Sequence, residues 1–348
     1  MSALVVAPAW IGDAVLAQVL FMRLQAQAAG RLQLDVLAPS WVAPVLARMP
    51  QVRHVIVNPF GHGVLALAER YRFARQLRAA DYDCAYVLPN SFKSALIPYF
   101  AGIPLRVGFT GEARYALLNR RHRLDKTALP TMAERFAQLA EPFSAMPSAL
   151  TGQAQGLPVP RLSSSPAQQQ AVLDDLQLVP TKPCVVLCPG AEYGEAKRWP
   201  AAHFAALADL LVQRGDSVWL LGSAKDGVLG EAICALVKSP QQVHNLCGRT
   251  TLTQAIDLIA QAKAVICNDS GLMHVAAALA RPLLAIYGSS SPVFTPPLSE
   301  HARIISLHLD CSPCFKRVCP LGHLNCLKQL DAQRVFQALL DYEKEVVA

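Results

Sequence analysis

The stretch LVVAPAWIGDAVLAQVLFMRL, residues 4–24, decides how the rest of the chain is read. Its apolar start, Leu4 to Ala7, has the make-up of a buried β-strand. The run breaks at Pro8 and Gly12, and a helical pattern follows with Asp13 at the junction. At that corner of an α/β protein the first amides of a helix point outward and commonly receive a ligand's phosphate. A carboxylate planted there either caps its helix or takes part in chemistry.

The same grammar of strand, turn and helix recurs. In the second half, β-type runs at Cys184–Pro189, Ser217–Gly222, Val243–Cys247, Ala264–Asn268, Leu283–Gly288 and Arg303–Leu307 alternate with helical segments at Ala201–Arg214, Gly227–Lys238, Thr253–Ala262 and Leu272–Ala280. The first half repeats the pattern through Leu4–Ala7, Leu34–Ala38, His54–Asn58, Cys84–Leu88 and Arg106–Phe109. Near-continuous apolar strands between helices predict parallel, doubly wound sheets. A stretch rich in Pro, Ser, Gly and Gln separates the halves, with the linker near Gly156–Pro166. The expected fold class is α/β: two Rossmann-like doubly wound domains, residues 1–160 and 161–348, facing across a cleft. The last helix, about 331–348, is expected to pack back on the N-terminal domain.

With 53% hydrophobic residues over 348 positions, the chain can build two cores and is not generally disordered. A formal charge of +7, from 32 Lys+Arg against 25 Asp+Glu, argues for acidic partners. Over half of that excess lies between Ile103 and Lys126, where Arg106, Arg114, Arg120, Arg121, Arg123 and Lys126 face Glu112 and Asp125. That run reads either as a solvated face or as an anion-binding one. The sequence carries neither a membrane-length apolar run nor a signal-peptide pattern, so the chain is expected to stay in the cytoplasm. There its ten cysteines read as thiols rather than a disulfide framework.

CPGAEYGEAKRWP, residues 188–200, joins a strand to a helix. Gly190 and Gly194 give backbone freedom, Lys197 and Arg198 supply cations suited to a diphosphate, and Pro200 suits the first turn of the next helix. A surface Lys-Arg pair beside a packed Trp199 is the plain alternative. VICNDSGLMHVAAAL, residues 265–279, repeats the design. The amides of Ser270 and Gly271 open a helix and suit a phosphate or sugar oxygen, Asp269 can accept from hydroxyls, and His274 follows near the same end. An N-cap and a packed core histidine account for Asp269 and His274 equally. In LLGSAKDGVLGE, residues 220–231, Asp226 either bonds a ribose diol or caps its helix. GHGVLA, residues 61–66, fits a dinucleotide fingerprint but lacks the acid at the end of the following strand. CSPCFKRVCPLGHLNC, residues 311–326, sets Cys311, Cys314, Cys319 and Cys326 close together with His323 among them. Thiols this dense suit zinc or an iron–sulfur cluster, or stand as ordinary or redox-labile thiols.

Taken in order, PAWIGDAVLAQ, YVLPNSFKSALIPYFAGIP, PGAEYGEAKRWP, NDSGLMHVAAAL and YGSSSPVFTPP resemble the ADP-heptose:lipopolysaccharide heptosyltransferases over nearly the whole chain, most of all the type II enzymes of the inner core. The resemblance implies a GT-B fold with an N-terminal acceptor domain and a C-terminal ADP-heptose domain. It also implies direct, inverting transfer of L-glycero-D-manno-heptose to the first heptose of the lipopolysaccharide inner core, with no metal and no cofactor required. It makes Asp13 the base and Lys197 the cation at the leaving diphosphate, and it turns Asp269, Ser270, Gly271 and His274 toward the donor; Gly190, Glu192 and Asp226 are assigned to the donor by their place in the neighbouring loops. Asn90, Ser91, Lys93 and Arg120 are assigned to the acceptor by polarity and position alone. The expected partners are ADP-heptose and a lipid-linked core acceptor, with peripheral contact at the cytoplasmic face of the inner membrane and no nucleic-acid polymer. No role passes to the Cys311–Cys326 cluster, which many relatives lack. Three rival readings remain: a related transferase with another nucleotide sugar or glycan acceptor, a non-catalytic nucleotide-binding module, and a nicotinamide dehydrogenase resting on GHGVLA.

Overall fold

The computed structural model describes residues 1–61, 63–142 and 156–347 and divides into two compact units, Met1–Ser163 and Ser164–Ala348. In the first unit β1 (Ser2–Val6), β2 (Gln33–Ala38), β3 (Val52–Val57), β4 (Cys84–Val87), β5 (Leu105–Phe109) and β6 (Arg120–His122) are joined through α1 (Ile11–Gln27), α2 (Ala43–Leu46), α3 (Leu67–Leu77) and α4 (Leu96–Phe100), and α5 (Met132–Gln138) follows. In the second, α6 (Pro166–Asp175) precedes β7 (Cys184–Cys188), α7 (Ala201–Arg214), β8 (Ser217–Leu220), α8 (Gly227–Leu236), β9 (Val243–Asn245), α9 (Leu252–Ala260), β10 (Ala264–Asn268), α10 (Gly271–Ala278), β11 (Leu283–Ile286), β12 (Ala302–Ile305), α11 (Asn325–Lys328) and α12 (Ala332–Val347).

The sheets run β3-β2-β1-β4-β5-β6 and β12-β11-β10-β7-β8-β9, and every neighbouring pair is parallel. Both have the same permutation. Strand order reverses between β1 and β4 in one unit and between β7 and β10 in the other, so the loops leaving those strands diverge and open a crevice. The central strands are apolar on both faces because helices cover both: Leu4, Val5, Val265 and Ile266 are fully buried.

All eleven expected β runs form strands, most ending one or two residues early, and Ala201–Arg214 is a helix over those residues. The strand missed is β6, three residues long and basic, recognisable only by its pairing with Val107–Phe109. The division between units falls at Ser163/Ser164, three residues beyond the expected boundary. Pro166, expected in the linker, instead opens α6 behind a reciprocal Ser165–Gln168 capping box. Residues 143–155, which begin the Pro/Ser-rich stretch, lie outside the described residues, as does His62 of GHGVLA. The remainder of that motif follows β3, the sheet's edge strand, and not the first strand of the unit where a dinucleotide fingerprint belongs. Buried Val335 and Leu339 of α12 join the core of the second unit, and the helix packs on α7.

Among the polar groups buried in the first unit, Asp35 is held by a full set of donors. Asp35 on β2 is 3% exposed. It accepts a paired hydrogen bond from Arg53 on β3 (2.9 and 2.7 Å) and a third from the Tyr82 hydroxyl (2.7 Å). Burial works to raise the carboxyl's pKa, but the hydrogen bonds from Arg53 and Tyr82, with the charges of Arg53 and His54, outweigh it and hold it below the usual range. Because the folded pKa is depressed, the stabilisation is present above the unfolded value near 3.9 and is lost as pH falls through the folded one. Asp35→Asn should cost on the order of 1–3 kcal/mol at pH 7, less than a fully buried pair because Arg53 is partly solvated. Urea unfolding of both proteins at pH 7 and pH 3 checks this: the gap should narrow at pH 3, and a gap independent of pH would assign the cost to packing.

Candidate active site

In the second unit the crevice lies between the loops that leave β7 and β10. The β7 loop leads through a short 3₁₀ turn, Glu195–Lys197, to Pro200 at the start of α7. The β10 loop is two residues long: Asp269 and Ser270 lead straight into α10. The Lys197 ammonium donates to Asp269 Oδ2 at 2.5 Å, with the two side chains 18% and 6% exposed. The pair stands beside the free amides that open α10, whose N-cap Ser270 makes no capping hydrogen bond.

Asn268, fully buried at the end of β10, fixes both ends of the Lys197 loop. Its amide donates to Pro189 O at 2.7 Å and its carbonyl accepts from Trp199 N–H at 3.1 Å. Trp199 is anchored in turn: its indole donates to Leu330 O at 2.7 Å, and its ring meets Phe204 edge-on. The loop's outer half is tied to the cysteine-bearing segment. Ala196 N–H donates to Arg317 O, and the Tyr193 hydroxyl donates to Phe315 O. A Cβ at Gly194 would stand 2.5 Å from Arg317 O, so only glycine permits that approach.

Ser270 Oγ and His274 Nδ1 next to the pair, and Ser289 Oγ and Ser290 Oγ beyond the end of β11, are buried with no hydrogen-bond partner among the described residues. Burial, opposed by Asp269 and reinforced by Lys197, pushes the His274 pKa down to about 4, so the ring is neutral at pH 7. His274 is thus a buried histidine and a neighbour of the Lys197–Asp269 pair at once.

The remaining expected donor residues divide. Gly190 lies against Asp226: a Cβ there would be 2.5 Å from Asp226 Oδ2. That oxygen accepts from Ser223 N–H and Oγ–H in a capping box, so Asp226 does cap its turn, at the rim of the same crevice. Glu192 is exposed and pairs with Lys225 rather than with Lys197.

In the first unit, Asp13 stands in the opening turn of α1, two residues inside the helix, while Trp10 occupies the N-cap. The β4 loop on the other side of that reversal carries Asn90, Ser91 and Lys93, with Ser91 heading the turn Phe92–Ala95. Arg120 lies two strands away on β6. The loop is organised from within by Arg114, 1% exposed, which donates to Pro89 O, Phe109 O and Asn90 Oδ1. Arg106 spends its donors on Leu117 O and Ile103 O. Two of the six basic residues expected on one face are therefore framework, because buried carbonyls need donors that only a long side chain can bring.

All ten cysteines are free thiols. Cys311, Cys314, Cys319, Cys326 and His323 line one cavity of about 20 Å³, together with Ala196 and Ser289. Among the described residues no group of three or more His, Cys, Asp or Glu stands ready to hold a metal ion.

Residues 70–325 match glycosyltransferase family 9 (heptosyltransferase). The chain is 47% identical over 341 residues to lipopolysaccharide heptosyltransferase 2 of Salmonella typhimurium, covering 97% of both chains. It is likewise 47% identical over 345 residues to the Escherichia coli protein of that name, again with 97% coverage of each. Its structure superposes on that of E. coli ADP-heptose lipopolysaccharide heptosyltransferase II with a TM-score of 0.88 at 43% identity, over the whole of both chains. With two parallel six-stranded sheets as its frame, the chain belongs to glycosyltransferase family 9, the heptosyltransferases, and is a glycosyltransferase.

Proposed function

We propose that this enzyme transfers L-glycero-D-manno-heptose from ADP-heptose to the first heptose of the lipopolysaccharide inner core, with inversion and no metal requirement, at the cytoplasmic face of the inner membrane. The observation that carries the reading is the Lys197–Asp269 pair at the opening of α10. A cation and free helix amides at the carboxyl ends of two strands form an anion site, in a chain whose relatives are named heptosyltransferases.

In this reading the second unit holds the donor. As the bond from the anomeric carbon to the diphosphate oxygen breaks, ADP leaves with the electron pair. The charge growing on it meets the Lys197 ammonium and the Ser270 and Gly271 amides. Asp269 orients Lys197 and accepts from a sugar hydroxyl. His274, neutral at working pH, contributes a hydrogen bond rather than charge, and Gly190, Glu192 and Asp226 border the nucleotide. The first unit takes the acceptor at Asn90, Ser91, Lys93 and Arg120. Its hydroxyl attacks the anomeric carbon from the opposite face and passes its proton to Asp13, an acid ionised at neutral pH and favoured by the α1 N-terminus. The stereochemistry inverts because one bond forms as the other breaks.

ADP release with ADP-heptose and a heptose-bearing core should be acceptor-dependent. Asp13→Ala should lower turnover by about 10²–10⁴ with donor affinity retained, and Lys197→Ala by about 10²–10³. Full turnover in Asp13→Ala would remove it as the base, while saturation by a different nucleotide sugar at lower concentration would move the assignment to another donor.

His274 gives a separate pH test. Its folded pKa of about 4 lies below the unfolded value near 6.5, so between those values the unfolded chain binds more protons and stability falls as pH drops. In His274→Gln that component, roughly 3 kcal/mol across the window, should vanish. Unfolding curves at pH 7 and pH 5 that respond equally in both proteins would show that the ring is not buried neutral.

A further inference from the structure

α3 and the turn before it are assembled inside out. The one α3 side chain besides Ala74 and Leu77 that is buried is an arginine, Arg70, whereas Val64, Leu65, Leu67 and Tyr71 are between 44 and 50% exposed. Arg70 explains the display. Its guanidinium donates to Leu65 O at 2.6 Å and Val64 O at 3.1 Å and lies 4.3 Å from the Phe60 ring centre. The backbone of the turn is held from beneath, so its apolar side chains are carried outward.

The patch continues across the surface. Tyr71 meets Phe100 edge-on at 5.6 Å, Phe100 meets Tyr99 at 5.8 Å, and Tyr99 is itself 45% exposed. Leu67, Tyr71 and Arg75 recur at a spacing of four and share one helix face. Arg72 and Arg75 are exposed on α3 and Arg78 just beyond its end, while Glu69 is the one acid of the helix. Aliphatic tips, tyrosines with polar ends and a border of arginines form the pattern that seats at the headgroup level of an anionic bilayer. Among the described residues no helix is long and apolar enough to cross a membrane, so contact of this kind is made from the surface.

We propose that this face, Val64 to Arg78 with Tyr99, docks the protein on the surface of an anionic lipid bilayer. The purpose of the contact rests on the reading that the acceptor is lipid-linked; the contact itself does not. The lipid is recognised by its negative headgroups and by room for apolar side chains at the acyl boundary, and a second copy of the chain, equally basic, lacks the complementary charge.

Co-sedimentation with sucrose-loaded vesicles, without donor or acceptor, tests it. The protein should bind vesicles of phosphatidylethanolamine with about one quarter phosphatidylglycerol at least tenfold better than pure phosphatidylcholine, and salt should weaken binding. Leu65→Ser/Leu67→Ser/Tyr71→Ser, and separately Arg72→Gln/Arg75→Gln, should each lower partitioning about tenfold. Both variants should keep the wild-type unfolding midpoint and the wild-type rate on a delipidated core oligosaccharide. Wild-type protein that stays in the supernatant, folded variants that bind as wild type, or concentration-dependent dimerisation through this face in place of vesicle binding would overturn the proposal. Failure of sugar transfer with vesicle binding intact would count against the reaction and leave the docking face standing.

Discussion

The carboxamide of Asn268 is the constraint on which the second unit's site depends. It lies where strand order reverses, at the end of β10, and reaches sideways to the loop leaving β7. One donor and one acceptor on a single planar group grip Pro189 and Trp199, the residues that bound the loop. Nine residues lie between those grips, and Lys197 is among them. Without the grips each would be free to lift the cation away from α10. Because Asn268 is fully buried, both bonds form in a low-dielectric setting, where an unmade one is costly. Neither Asp, which has no N–H to give, nor Leu, which has neither group, can replace it.

The electrostatics follow from that placement. Lys197 and Asp269 are both largely shielded from water, and their contact keeps either from being a buried, unpaired charge. A diphosphate arriving at the α10 amides would compete with Asp269 for the same ammonium, and the helix amides would supply donors that the carboxylate does not use. Neutral His274 matters in that setting. A second fixed cation would hold a departing diphosphate in the ground state as firmly as in the transition state, which binds without accelerating.

Strands, their order of appearance and the two-unit layout were legible because apolar runs and turn residues act locally: β10 and α7 coincide with the expected runs residue for residue, or nearly so. Lys197 and Asp269 were legible as members of loop motifs, and the ion pair joining them, 72 positions apart, was not. Asn268 was visible only as a polar residue closing an otherwise apolar strand, a signal that reads equally as the strand's end. Ser289 and Ser290 lay in a quoted motif without a role, and their unpartnered hydroxyls emerge only from burial. The basic run from Ile103 to Lys126 misled by composition: Arg106 and Arg114 face inward to carbonyls, and no periodicity distinguishes such an arginine from one in solvent. Arg70 makes the same point from the other side, since an arginine inside α3 is what leaves leucines outside it.

The two units share one sheet permutation but load its reversal point with opposite chemistry. In the second, a cation and unspent amides follow β7 and β10; in the first, a carboxylate follows β1. Asp13 sits at the third position of α1 and not at its N-cap, in the first turn where a helix terminus favours a carboxylate. A helix N-terminus that holds a carboxylate is already supplied with negative charge and is a poor second site for a diphosphate. The one repeated fold thus carries opposite charge at its two reversal points. It is compatible with the proposed reaction, in which one half would bind a leaving anion and the other would take up a proton.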